Sequence, residues 1–142
     1  MNMKKILLST FFITAMYAYS NAQCDTIARL CATHITNSYI SDGQQYRAML
    51  LNAEETAEFH TTMFAETIYR FAACSGLKDG NLIFRVLDKD RNILFTNQHF
   101  QNAPYWDFKT KSTIDVIIEA QLDPDRNTGS GCAVLLIGFK QK

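Results

Sequence analysis

Apolar residues change their spacing once along this chain. Ile27, Leu30, Cys31, His34, Ile35 and Tyr39 recur at steps of three and four, the repeat of one helix face. Asp25 stands where a side chain can cap the start of that helix. The stripe predicts a helical segment over residues 23–40 whose face docks on the rest of the domain. Ser41-Asp42-Gly43 breaks the pattern, and beyond it the period becomes two, as in strands with one buried face. Residues 46–51 read as a strand. Across 55–64, Ala57, Phe59, Thr61 and Met63 alternate with Glu58, His60 and Thr62. A third strand covers 68–74, after which Ser75-Gly76 and Asp79-Gly80 mark a loop. Residues 81–87 and 92–96 flank Asp88-Lys89-Asp90-Arg91, a hairpin by length and turn chemistry. A short aromatic strand over 105–109 follows Pro104. Over 112–122, Ile114, Val116, Ile118, Ala120 and Leu122 alternate with Thr113, Asp115, Glu119 and Gln121, interrupted by Ile117. A polar loop over 123–131 leads to an apolar run at 132–139, which suits a central strand buried on both faces. About eight short strands after one helix predict a mainly β protein, an antiparallel β-sandwich with one N-terminal helix. No repeat or linker divides residues 23–142, so they read as one domain, with 41–142 as the sandwich.

Upstream, Lys4 and Lys5 precede an apolar, uncharged run from Ile6 to Ala18, and Ser20-Asn21-Ala22 supplies small residues for cleavage. This is the order of a secretory signal peptide over residues 1–22. The alternative is a membrane anchor, but the run falls short of the ~20 residues that span a bilayer. Lipid attachment at Cys24 is the other option, and Gln23 before the cysteine argues against it. The expected product is periplasmic or extracellular, begins at Gln23 and has no stable membrane insertion. Loss of Lys4 and Lys5 leaves 12 basic against 14 acidic residues, a net charge of −2, which predicts no attraction to nucleic acid. All four cysteines, Cys24, Cys31, Cys74 and Cys132, remain. An even count in an exported domain predicts two disulfides; a zinc site is the rival, without a C-x-x-C motif to support it. Seven helical residues rise ~10 Å and bridged α-carbons lie within ~7 Å. A helical start therefore sends Cys24 and Cys31 to Cys74 and Cys132, whereas an irregular start lifts that exclusion.

The hairpin carries Leu82, Phe84, Val86, Asp88, Asp90 and Leu94 in the order L-x-F-x-V-x-D-x-D-x-x-x-L. With the rest of residues 55–140 it resembles the jelly-roll sandwich of bacterial pre-peptidase C-terminal domains, with Arg91 where that family prefers glycine. The segments 42–48, 102–108 and 136–140 also resemble those of small exported proteins of Bacteroidetes-type bacteria, which carry no assigned activity. The resemblance implies a jelly-roll-like, non-catalytic module standing alone.

Candidate chemistry is sparse. His34, His60 and His99 fall on a helix stripe, a strand and a loop, and no nucleophile elbow, H-E-x-x-H or phosphate loop is present. The expectation is a non-enzyme without cofactor. The alternative is a small hydrolase built on a carboxylate pair outside any linear motif, such as Glu58 with Asp107. Asp88, Asp90 and Asn92, and again Asp123, Asp125 and Asn127, occupy alternate positions that suit oxygen ligands of calcium. Neither run completes an EF-hand, and Asp and Asn serve turns with their own side chains. Tyr105, Trp106 and Asp107 form the candidate ligand-binding strand. Adjacent residues point to opposite faces, so Trp106 is expected inside and Tyr105 outside. The reading is an exported binding or structural module for an unknown ligand, a carbohydrate or another envelope protein. A subunit role in a larger envelope assembly is the third option, marked by an exposed apolar sheet face.

Overall fold

A computed structural model describes Met3 and residues 23–126 and 129–141. Apart from Met3, the export signal read at 1–22 lies outside the described residues, as does Asn127. Among the described residues the chain forms eight strands: β1 (Ile40–Leu50), β2 (Thr56–Met63), β3 (Thr67–Cys74), β4 (Leu82–Asp88), β5 (Ile93–Thr96), β6 (Tyr105–Lys109), β7 (Ile114–Leu122) and β8 (Gly131–Gln141). They build two four-stranded sheets in the orders β1-β8-β3-β6 and β2-β7-β4-β5, antiparallel throughout. First pairs with last, second with seventh, third with sixth and fourth with fifth. This nesting is that of a jelly roll, an eight-stranded double-sheet sandwich.

The core follows from the alternation. Phe71, Ala133, Leu135 and Ile137 from one sheet meet Phe84, Val86, Val116 and Ile118 from the other. Ile117 falls on the outer side of β7, so it interrupts the pattern without disturbing the buried row. β8 is central and buried on both faces. Its odd residues face the core, and Cys132, Val134 and Leu136 lie under the helix. That helix, α1 (residues 23–32), sets Ile27, Ala28 and Cys31 against the outer face of β3 and β8. Two disulfides hold it there, Cys24–Cys132 and Cys31–Cys74, with α-carbons 5.5 and 5.8 Å apart. These are the links that a helical start requires.

Four expectations need correction. Helix ends at residue 32, well before Tyr39, and continues as tighter i→i−3 turns through Thr33, His34 and Ile35. The Thr33 hydroxyl donates to the Leu30 carbonyl at 2.7 Å, and such local side-chain bonds compete with the helix ladder. Asp25 does not cap the helix, because it lies inside the helical residues, where its carboxylate pairs with Arg47. Leu30 faces solvent while Ile27 and Cys31 dock. Ser41-Asp42-Gly43 does not end an element either. β1 runs from Ile40 through this segment as a bulge, its register shifting between Ser41 and Gln45. Gly43 at φ 81° takes the left-handed conformation, and Ser41 Oγ and Asp42 Oδ1 accept the amides of Gly43 and Gln44. Turn chemistry here makes a bulge inside a strand.

Candidate binding surface

β6 is one of the two outer strands of its sheet, and β5 one of the two outer strands of the sheet beneath. Strand alternation divides the β6 side chains. Trp106 and Phe108 turn inward, half-buried, whereas Tyr105, Asp107 and Lys109 are exposed. Trp106 inside and Tyr105 outside is the arrangement that adjacency predicts. The backbone direction follows from one bond, the Ala73 amide donating to Pro104 carbonyl oxygen at 2.8 Å. Antiparallel pairs alternate between bonded and non-bonded, and β3 and β6 pair Phe71 with Trp106 and Tyr69 with Phe108. The amides and carbonyls of Tyr105, Asp107 and Lys109 therefore turn away from β3, toward the free edge.

The inward rings close this side of the sandwich. Phe95 of β5 sits 5.0 Å from Trp106 and 5.1 Å from Phe108, and Phe100 lies 4.3 Å from Trp106. Phe100 remains 47% exposed. It is delivered by a 3₁₀ turn (Asn97–Phe100) that Thr96 caps and that ends in left-handed Gln101. The anchor of that turn is Asn97, fully buried. Its side-chain oxygen accepts the Phe84 amide at 2.8 Å, and its NH2 donates to the carbonyls of Leu82 and Ala103 at 2.9 and 3.1 Å. Nothing in the sequence marks Asn97, because an Asn beside the end of an aromatic strand looks like any turn residue. A shallow groove of about 530 Å³ runs along Ala103, Pro104, Tyr105, Trp106 and Asp107.

On the outer face, Arg70 organises the polar half. It lies directly opposite Asp107 in the ladder and binds it through two bonds of 2.6 and 2.8 Å. Its guanidinium lies 4.4 Å from the centres of both the Tyr39 and Tyr105 rings, and it donates to the His34 carbonyl at 3.2 Å. His34 packs on Tyr105, ring centres 5.3 Å apart. The hydrogen bonds from Arg70 hold the Asp107 carboxyl below the usual aspartate range. Burial raises the Tyr39 phenol, and its hydrogen bond to Asp107 adds to that. A planar, forked guanidinium between two rings is a fixed, pre-organised surface feature.

The remaining candidates are placed elsewhere. Glu58 faces outward from β2 and Asp107 outward from β6, in different sheets and so on opposite faces. That carboxylate pair does not assemble. Glu58 instead lies across from Glu119 in the ladder, and Arg91 bridges the two with bonds of 2.5 Å each. Arg91 occupies φ 66°, the left-handed position for which its place in the hairpin suggested glycine. Asp88 accepts the amides of Asp90 and Asn92 and the Asn92 side chain, each at 2.9 Å, which lowers its pKa. Asp123 is buried; it accepts Asn102 Nδ2 at 2.6 Å and the Asp125 amide at 2.9 Å. Asp88 and Asp123 stand at opposite ends of β7, beside Val116 and Leu122, so the two acidic runs do not converge, and Asp88 and Asp123 serve their own turns. His34, Asp79 and Cys74 bring ligand atoms within 4.8 Å of one another, but the Cys74 sulfur is bonded to Cys31 and offers no thiolate to a metal.

No protein-family model matches this sequence, and no curated protein matches it. The fold is similar to that in the crystal structure of Aeromonas hydrophila PliG, a periplasmic lysozyme inhibitor of g-type lysozyme, with a TM-score of 0.53 and 11% identity over 74% of this chain and 90% of that one. At this identity the likeness is one of fold.

Proposed function

We propose that this chain is an exported, non-catalytic binding module that engages a protein partner through its β5–β6 side. The observation that carries the reading is Phe100, packed against Trp106 and half-exposed, at an edge where β6 turns its outward amides away from β3. Aromatic and arginine side chains held rigid in this way are the residues that dominate protein interfaces, and a free edge can accept an extended segment of a partner. A glycan has less to use. Tyr105 already holds Arg70 over its ring, and Trp106 is covered by Phe95 and Phe100. Two disulfides suit an oxidising compartment, in agreement with the signal read at 1–22. The fold-level likeness to a periplasmic inhibitor and the resemblance of the hairpin to pre-peptidase C-terminal domains support a binding role of the same kind.

The test places a photo-crosslinking amino acid at position 100 in the exporting host, with position 58 on the opposite face as control. A discrete protein adduct from position 100 alone is expected, and g-type lysozyme is the first purified partner to assay by inhibition of lysis. Equal labelling from both positions, or binding to a glycan panel that Tyr105→Ala abolishes, would sink the reading.

A further inference from the structure

We propose that the cleft beside the β1 bulge is a binding site for a small apolar ligand carrying an ammonium group. The residues lining this cleft come from β1, β2, β3, β8 and the turn after β2, none of them from β5 or β6, and the proposal stands whatever partner the β5–β6 side takes. Its volume is about 320 Å³, at the small end of ligand sites. Tyr69, Ile137 and Phe139 line it, with Phe64 60% exposed and Asp42 also on its wall. Its origin is local. The shift of register between Ser41 and Gln45 takes β1 out of step with β8, and the groups lining the gap are the inward rings of β3 and β8.

The chemistry of the occupant comes from Asp42. Its Oδ1 accepts the Gln44 amide at 2.9 Å, and among the described residues no cationic side chain pairs with it. A half-buried carboxylate beside apolar walls gains most from a cation that brings its own apolar body. Burial holds this carboxyl above the usual aspartate range, as expected of a charge without a counter-ion. An ammonium has three donors. Asp42 takes one, and the rim hydroxyls of Thr61 and Thr67 offer further acceptors.

NMR titration with 2-phenylethylammonium tests this, with 2-phenylethanol as the uncharged counterpart. The expected result is saturable shifts at Tyr69, Ile137 and Phe139, with affinity at least about tenfold weaker in Asp42→Asn. The alcohol should bind wild type about as weakly as the ammonium binds that variant. The asparagine oxygen still accepts the Gln44 amide, so the bulge is retained. Phe64→Ala, at an exposed ring, should weaken both probes alike. Absence of saturation, shifts confined to other residues, equal affinity for Asp42→Asn, or no effect of Phe64→Ala would each overturn the proposal.

Discussion

Along the β5–β6 side, Phe95, Phe100, Trp106 and Phe108 fill the gap between the sheets. Along the β1–β2 side, Tyr46 and Phe59 meet at 5.7 Å, but the bulge beyond them leaves a cleft. A sandwich has two such seams, and each must be filled by side chains, by a bend of the sheet, or by something else. Here one seam is filled by rings that extend to the surface, which creates an apolar edge on a rigid base. The other is left part-empty where turn chemistry interrupts a strand. The first arrangement suits a macromolecular partner and the second a small guest.

The largest expected effect leaves both seams in place and so sets the scale for the rest. Cys24→Ala with Cys132→Ala removes a link spanning 108 residues, worth about 5 kcal/mol in the chain-entropy account. Removing Cys31–Cys74, which spans 43, should cost about 4 kcal/mol. Urea unfolding of each pair under oxidising conditions checks the order. The reverse order would show that α1 is held mainly by packing at Cys31.

The sealed seam is tested next. Trp106→Ala removes a half-buried ring that touches Phe95 and Phe100 and should cost about 3 kcal/mol, the lower end for a large core ring. Tyr105→Ala, on the adjacent exposed position, should cost about 1 kcal/mol or less, the worth of an exposed cation–π contact. Asn97→Ala leaves the Phe84 amide and the Leu82 carbonyl without their partner, and each buried orphan costs about 1–3 kcal/mol. It should therefore destabilise at least as much as Trp106→Ala, although it removes only three heavy atoms. Near-wild-type melting of the Asn97 variant would mean that water can replace the side chain. On the open seam, Tyr69→Phe removes only the acceptor for the Phe64 amide, so about 1 kcal/mol is expected. A loss as large as at Trp106 would erase the contrast between the seams.

Much of this was legible from spacing alone, and the reasons differ by element. β6 falls on the residues expected, because Pro104 starts it and five alternating positions leave one register that buries Trp106. The helix–sandwich disulfides followed from helical rise. The bulge at Ser41–Gly43 was not legible, since the same residues end strands as often as they kink them. Arg91 was visible as an oddity in a glycine-like position, but its reach to Glu58 and Glu119 depends on β7 lying beside β4 with β2 next beyond it. Arg70 between Tyr39 and Tyr105 joins three residues far apart in sequence, and only the β3–β6 register and the packing of α1 bring them together. Asn97 left no signal because its partners are backbone groups, which every residue carries.

The smallest expected effect is on the pH dependence of stability, and its sign differs between the seams. Asp107, at the sealed side, is held below the ordinary aspartate value by Arg70. A depressed carboxyl stabilises the fold above its unfolded pKa of about 3.9, and that contribution is lost as pH falls through the lower folded value. Asp42, at the open side, is raised by burial. Between the unfolded value and this higher one the folded state holds more protons, so stability falls as pH rises through that window. Melting temperatures of wild type, Asp107→Asn and Asp42→Asn from about pH 2.5 to pH 6 separate the two. The advantage of wild type over Asp107→Asn should grow with pH, and that over Asp42→Asn should shrink. Asp107 is 41% exposed, so screening by water and salt makes its slope shallow; raising the ionic strength should flatten it further while leaving the Asp42 slope, which comes from burial, nearly unchanged. Slopes of the same sign would mean that Asp42 has found a cation in solution, and the cleft would then have lost the free charge on which its ligand chemistry rests.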